Sequence, residues 1–328
     1  IDLLVVAPYF TAEANVYLNR GDGTFGTPMT TSVTIMLPFN SIVVSTGDLN
    51  GDGRKDVLAV GSTFFGSTLL ALLAQSDGRL GAPIVTTLAQ QLGSAQIRDI
   101  NGDGKADIVA ASSNTSEVLW FAGSSDGKFA ASVASAVDAP LSRFVLADYN
   151  GDGKLDLLLL NTSSNNIGVL LGNNDGTFGP MTTFNVGMRP LFMVVADVNG
   201  DKKVDTINTN VDSGTVTIRL GDGAGGLGGT APSSTVTVGA QPLAADVADF
   251  DGDGRIDIVV SNFATGTLNL LTGKGDGTFV PPDATTTYNL TSQVNSLVAA
   301  DFNGDKRPDV IATSNNTTTL ALLLNQCQ

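Results

Sequence analysis

Along the chain, short apolar runs alternate with acidic, glycine-rich loops, and the alternation repeats at about fifty residues. Six nine-residue segments align without gaps: Asp48–Asp56, Asp99–Asp107, Asp148–Asp156, Asp197–Asp205, Asp249–Asp257 and Asp301–Asp309. Their first residues lie 51, 49, 49, 52 and 52 positions apart. A seventh, headless copy opens the chain, because Asp2-Leu3-Leu4-Val5 matches Asp107-Ile108-Val109-Ala110. Self-similarity at this period is a signature of stacked supersecondary units.

Each repeat predicts four short strands. A small apolar stretch such as Leu191 to Ala196 precedes the acidic loop (strand A), and a β-rich run such as Ile256 to Val260 follows it (strand B). A polar loop leads to a third run such as Thr267 to Leu271 (strand C), and a turn of the kind Gly275-Asp276-Gly277 leads to a Thr-rich strand D. Asp-Gly between alternating runs is a hairpin signal, since glycine accepts the positive φ of a tight turn. An apolar residue follows two positions after the turn, at Phe25, Leu80, Phe129, Phe178 and Phe279, and is expected to pack between neighbouring units. No stretch sustains a helical apolar period. The expected fold is therefore all-β: one domain over residues 1–328, a seven-bladed β-propeller of four-stranded blades. The first and last blades are expected to be incomplete. Strand A of the first and strand D of the last are not in the sequence, so either a longer parent polypeptide supplies them or open blade edges invite self-association.

Composition narrows the function. The chain carries 32 acids against 17 bases, a net charge of −15, and only Glu13 and Glu117 among the acids are not Asp. That balance argues against a nucleic-acid partner, which calls for a basic patch. No apolar run approaches the ~18 residues that cross a membrane, so no membrane insertion is expected. One cysteine, Cys327, excludes an intramolecular disulfide. Histidine is absent altogether, which excludes His-dependent nucleophilic and metal catalysis.

The acidic loops place oxygen ligands at alternating positions. Position 1 is Asp48, Asp99, Asp148, Asp197, Asp249 or Asp301, and position 3 is Asn50, Asn101, Asn150, Asn199, Asp251 or Asn303. Position 5 is Asp52, Asp103, Asp152, Asp201, Asp253 or Asp305. Position 7 offers the backbone carbonyl of Arg54, Lys105, Lys154, Lys203, Arg255 or Arg307, and position 9 is Asp56, Asp107, Asp156, Asp205, Asp257 or Asp309. Calcium is a hard cation that takes six to eight oxygens, and alternating side chains on a curled loop converge on one point. A single Asn-Gly-Asp-Gly would pass as an ordinary turn; six in-register copies with Asp kept at position 9, where a turn needs no carboxylate, point to about six structural Ca²⁺ ions. Nineteen of the 32 acids fall at these positions, and six such ions would bring the net charge from −15 to −3. The fourth and sixth loops carry Lys202 and Lys306 where the other four have glycine, so a strained curl and weaker binding are expected there.

The runs Phe250-Asp251-Gly252-Asp253-Gly254-Arg255-Ile256-Asp257-Ile258-Val259 and Leu271-Thr272-Gly273-Lys274-Gly275-Asp276-Gly277-Thr278-Phe279 resemble an FG-GAP (VCBS-type) repeat, and the resemblance covers essentially the whole chain. That family includes the integrin α-subunit propeller and bacterial surface proteins. The resemblance implies a seven-bladed propeller with calcium in the A–B loops of one face, and ligand contacts on the opposite face, from B–C and D–A loops. It also implies an extracellular or cell-surface setting. The two lysine loops and the truncated first repeat depart from the pattern, and Asp2 alone cannot form a seventh site.

Residues that break the repeat are the candidates for a protein or glycan ligand on the non-calcium face. They are Tyr9 and Phe10, Phe64 and Phe65 in the B–C loops of the first two blades, and Phe39 in the D–A connection; Phe263 stands in the sixth. Channel or inter-blade packing would account for the same rings, so their exposure decides between the two. Arg20-Gly21-Asp22 lies in a C–D turn whose siblings carry similar residues, which discounts it as a recognition tripeptide. The expected function is a binding, adhesion or scaffolding module and not an enzyme. The alternative is a polysaccharide-degrading lyase or hydrolase, or a propeller domain of one. No pair of carboxylates outside the loops suggests the facing acids of glycoside hydrolysis.

Overall fold

A computed structural model describes residues 3–7, 12–17, 20, 22, 24, 26–33, 41–137, 143–228, 234–290, 293–314 and 320–326. Among them there is no helix, and 26 strands form seven antiparallel sheets. The first sheet is β1 (Leu3–Ala7), β2 (Ala12–Tyr17) and β3 (Met29–Val33). The second is β4 (Ser41–Gly47), β5 (Asp56–Thr63), β6 (Gly66–Leu72) and β7 (Ile84–Leu88). The third is β8 (Leu92–Arg98), β9 (Asp107–Ser112), β10 (Glu117–Phe121) and β11 (Val133–Ala136). The fourth is β12 (Arg143–Ala147), β13 (Asp156–Asn161), β14 (Asn166–Leu170) and β15 (Thr182–Asn185). The fifth is β16 (Pro190–Ala196), β17 (Asp205–Asn210), β18 (Thr215–Arg219) and β19 (Ser234–Thr237). The sixth is β20 (Pro242–Ala248), β21 (Asp257–Asn262), β22 (Thr267–Leu271) and β23 (Thr287–Asn289). The seventh is β24 (Ser296–Ala300), β25 (Asp309–Thr313) and β26 (Ala321–Leu323).

Five sheets have four strands and the first and last have three, as the repeat count predicts. Every sheet meanders, each strand pairing with its sequence neighbour. The innermost strands β4, β8, β12, β16, β20 and β24 pack in succession, so the sheets follow one another as blades.

Position within a blade explains the burial. Strands β9, β13, β17 and β21 are buried at every residue because both of their faces meet a neighbouring blade. Outer strands β7, β11, β15 and β19 have no such cover on one side and remain largely exposed or half-buried. Strand β17 (Asp-Thr-Ile-Asn-Thr-Asn) is polar at every residue but Ile207 yet fully buried, a placement no hydropathy pattern predicts. Its Asn208 and Asn210 bond to each other, and Asn210 donates further to Thr215 and Thr217 of β18.

Apolar clusters fill the spaces between blades, and the residue after each C–D turn is among their members. Leu80 packs with Val57, Leu70 and Val16, Phe129 against Leu58 and Ile97, and Phe178 against Leu157 and Phe144. Leu227 plays the same part in the fifth blade, packing with Leu158 and Val169. Sequence spacing missed it because the turn there is Gly221-Asp222-Gly223-Ala224-Gly225-Gly226, with its Asp moved two places forward. The Gly221–Leu227 bridge nonetheless matches Gly172–Phe178 and Gly273–Phe279. Phe25 lies outside the described residues.

Candidate metal centres and the opposite face

All six acidic loops join a strand A to a strand B, and their backbone hydrogen bonds are copies of one another. The position-1 Asp curls the loop around its own carboxylate. Its Oδ1 accepts the position-4 N–H at 2.6–2.8 Å, and its Oδ2 accepts the position-6 N–H at 2.8–3.0 Å. The position-3 side-chain oxygen then accepts the position-5 N–H at 2.9–3.1 Å. Desolvation opposes ionisation of Asp48, but N–H donors from Gly53, Gly51 and Asp52 outweigh it and hold its pKa below the usual value.

This curl requires left-handed backbone at position 6. Gly53, Gly104, Gly153 and Gly254 take φ of 81–83°. Lys202 and Lys306 take φ of 65° and 69° in the same place, and their N–H groups still reach Asp197 and Asp301 at 2.8 and 2.9 Å. The strain expected of these loops is present, about 1–2 kcal/mol for an L-residue in this region, and the hydrogen-bonded curl survives it.

Position 9 has a role that its place in the loop does not show. Asp56, Asp107, Asp156, Asp205, Asp257 and Asp309 are all buried. One oxygen of each accepts the position-2 N–H at 2.8–3.2 Å. The other accepts an N–H just beyond strand C, from Ala74, Gly123, Gly172, Gly221, Gly273 or Asn325, at 2.7–2.9 Å. This carboxylate clamps the A–B loop to the end of strand C. It has a structural purpose apart from any ion, so an Asp repeated at position 9 does not by itself require a metal. Burial pushes the pKa of Asp56, Asp156, Asp205 and Asp257 up, against the pull of these donors.

Position 5 behaves differently. Its Oδ1 accepts the position-7 N–H at 2.8–3.0 Å, and its Oδ2 faces the position-7 base. Asp103–Lys105, Asp152–Lys154, Asp201–Lys203, Asp253–Arg255 and Asp305–Arg307 pair at 2.7–3.8 Å, and Asp52 pairs with Arg54. The backbone N–H of Lys105 and that of Lys154 are the main reasons that Asp103 and Asp152 sit below the ordinary carboxylate range; for Asp305 it is the Arg307 side chain.

Among the described residues, Asp249, Asp251 and Asp257 bring one carboxylate oxygen each within 4.8 Å of one another. Two oxygens on opposite sides of a single calcium ion stand about 5 Å apart, given bonds of 2.3–2.6 Å. The donor set is all oxygen, without nitrogen or sulfur; Asp249 Oδ1 already accepts two N–H groups, from Gly252 and Asp253, while its Oδ2 accepts one, from Gly254, and keeps a second lone pair. Positions 1, 3 and 9 of the fifth loop thus fit a hard cation, whereas Asp253 at position 5 is turned toward Arg255.

The C–D turns share the loop end of the blades and are closed without such convergence. Asp22, Asp175 and Asp276 each accept the N–H and hydroxyl of the residue two places on, Thr24, Thr177 and Thr278. Asp22 is thereby committed to its turn, as the discounting of the Arg20-Gly21-Asp22 tripeptide expects.

The opposite end carries the B–C hairpins. Phe64 and Phe65, at the tip between β5 and β6, are 81% and 95% exposed. The hairpin is held by Phe65 N–H donating to Thr63 Oγ1 and by Gln91 donating to the Phe64 carbonyl. These two rings therefore do not pack in the channel or between blades. Tyr9, Phe10 and Phe39 lie outside the described residues. Phe263 is half-buried. Arg143, the first residue of β12, and Phe192, near the start of β16, stack at 4.3 Å on this end and were not singled out by the repeat pattern.

The meander of four-stranded sheets and its periodic acidic loops define a β-propeller. The FG-GAP-like repeat family matches residues 1–59, 99–159, 148–207, 197–260 and 249–312, and the chain belongs to that family. No curated protein matches the sequence. Among solved structures, a lectin of Agrocybe aegerita that specifically recognises non-reducing terminal N-acetylglucosamine is similar at a TM-score of 0.68, with 18% identity, over 98% of this chain and 92% of that one. The periplasmic gluconolactonase PpgL of Pseudomonas aeruginosa is similar at 0.62, with 14% identity, over 96% and 81%. BBS1N, in its complex with ARL6DN, is similar at 0.62, with 10% identity, over 98% and 91%. At these identities the likeness concerns the fold alone.

Proposed function

We propose that this protein is an extracellular or cell-surface binding module, a propeller stabilised by about six structural calcium ions, which engages a glycan or protein ligand through its B–C face. The observation that carries the binding reading is the pair Phe64–Phe65, two large apolar side chains almost wholly in solvent on a hydrogen-bonded hairpin. Exposing both has an energetic disadvantage in water and no benefit to folding, and such patches mark interaction sites. Rings of this kind suit stacking on the C–H face of a sugar or burial in a protein interface. The lectin among the similar structures supports the glycan arm.

Calcium supports the fold in this reading and takes no part in chemistry. It would bind positions 1, 3 and 9, with the position-5 carboxylate exchanging its base for the ion. Its charge would relieve the mutual repulsion of the loop carboxylates, and binding only the folded form stabilises that form. The absence of histidine from the sequence favours binding over catalysis. The test is a glycan and protein array probed with the intact chain and with a Phe64→Ser/Phe65→Ser double variant, each with and without chelator. Ligand capture by the parent chain that the double variant loses, while its melting temperature is kept, supports the reading; equal capture by both removes it.

A further inference from the structure

Just outside strands A and B, blades close on themselves at the B–C end. In the third, fifth and sixth blades the residue before strand A accepts the N–H of the residue after strand B: Gln91 from Ser113 at 2.7 Å, Arg189 from Val211 at 3.0 Å and Gln241 from Phe263 at 2.9 Å. In the fifth blade Arg189 then pairs with Asp212 of its own hairpin at 2.9 Å. The corresponding residues of the third blade are Gln91 and Asn114. Gln91 and Arg189 each stand sixteen residues before the position-9 Asp, and Asn114 and Asp212 each stand seven after it. Two amides take the place of two charges there, beside the hairpin that carries Phe64 and Phe65.

Each amide is held from behind. Asn114 Oδ1 accepts the Gln91 N–H and the Ser112 hydroxyl, both at 3.0 Å, while Gln91 Nε2 donates to the Phe64 carbonyl at 3.0 Å. An N–H requires an oxygen and a carbonyl requires an NH₂, so these partners fix which end of each amide is which. What remains is the NH₂ of exposed Asn114 and the side-chain oxygen of half-buried Gln91, neither with a partner among the described residues. Gln91 bonds both to Asn114 and to the backbone of Phe64, which gathers a donor, an acceptor and two exposed rings at one place on the surface. No ionised side chain belongs to this group. Glu117, three residues beyond Asn114, is half-buried and accepts the Thr115 hydroxyl at 2.8 Å.

We infer that Phe64, Phe65, Gln91 and Asn114 form one subsite for an uncharged sugar ring. The assignment rests on the binding reading of the Phe64–Phe65 pair and narrows it to a neutral glycan. A sugar hydroxyl both donates and accepts, so one hydroxyl takes a hydrogen bond from the Asn114 NH₂ and another gives its proton to Gln91 Oε1. The C–H face of the sugar lies on a phenyl group, whose electron-rich face favours it. Because both amides are already held by backbone partners, little side-chain freedom is lost on binding. A carboxylated sugar would bring its charge to a group that contains no base, and desolvating an unpaired charge costs more than such hydrogen bonds return. In the fifth blade the same two positions are closed by the Arg189–Asp212 pair, so the subsite belongs to the junction of the second and third blades.

Calorimetric titration of cellotetraose, mannotetraose, xylotetraose and tetragalacturonate into the intact chain tests this. Saturable binding of at least one of the three neutral sugars is expected, with tetragalacturonate weaker by about tenfold or more. Asn114→Ala and Gln91→Met should each weaken the tightest neutral sugar by about three- to tenfold, the scale of one uncharged hydrogen bond, with the thermal melt unchanged. Tetragalacturonate binding as tightly as the neutral sugars overturns the inference, as does binding that both amide variants leave unchanged. No binding of any neutral sugar by a folded chain overturns it too. These failures are separable from failure of the broader reading. Array capture that Phe64→Ser/Phe65→Ser removes, but that Asn114→Ala and Gln91→Met do not affect, keeps the two rings as a binding surface and removes the sugar subsite. Sugar binding that survives the loss of both rings removes both.

Discussion

The two ends of the blades obey different rules. At the A–B end six loops repeat the same hydrogen bonds to within a few tenths of an ångström, down to the oxygen that accepts each N–H. At the B–C end the hairpins of the second to sixth blades all differ in sequence, from Phe64-Phe65 through Asn114, Ser163 and Asp212 to Phe263. A requirement shared by every blade writes the same residues in every copy. A ligand touches the molecule once, and the residues that meet it need no repetition. The difference teaches where to look for structure and where for recognition.

Chelation should separate the two ends most forcefully. If calcium occupies the loops, removing it should lower the melting temperature by more than about 10 °C, since each saturated site adds roughly 2–3 kcal/mol at a hundredfold excess over its Kd. Calorimetry with and without EGTA checks this, and an unchanged melt would refute the calcium reading while leaving the fold intact.

Within the repeated end, Asp156→Ala should be the most damaging single change. It strands two buried N–H donors, from Tyr149 and Gly172, at a loss of about 2–5 kcal/mol. Because the clamp needs no ion, denaturant melts should show most of that loss in EGTA as well. Asp152→Ala offers the contrast: its destabilisation should appear in calcium and largely vanish in EGTA, where its partners, one N–H and the side chains of Lys154 and Asn150, belong to its own loop. Asp22→Ala, in a turn without convergent acids, should show little dependence on calcium in the same assay.

At the unrepeated end, Phe64→Ser with Phe65→Ser should leave the melt within about 1 °C in calcium, because the rings bury almost nothing. A large fall would mean that these side chains are buried in the molecule as it exists in solution. The smallest effect is expected for Lys202→Gly. Relief of the left-handed backbone, worth about 1–2 kcal/mol, is offset by about 0.4–1 kcal/mol of added freedom in the unfolded chain. Stability should therefore rise by no more than about 1.6 kcal/mol; a fall would show that the Lys202 side chain contributes something that its backbone geometry conceals.

The sequence by itself determined the number of blades, the order of strands and the place of every acidic loop. These follow from local physics: glycine at positive φ, Asp accepting N–H groups within its own loop, and β-rich runs of five to eight residues, all encoded over a few neighbours and written six times. It did not determine that Asp156 reaches across to Gly172, sixteen residues away, because a carboxylate's second partner depends on where strand C ends. Nor did it reveal Leu227, whose turn is spelled differently but whose bridge is the same, or that β17 buries two asparagines. Only tertiary structure decided which aromatic side chains are exposed and which fill an interface. Phe65 and Phe279 are the same residue type, each beside a glycine-containing turn. One projects into water and the other is enclosed by two blades, because burial belongs to what packs against a side chain and not to the side chain itself.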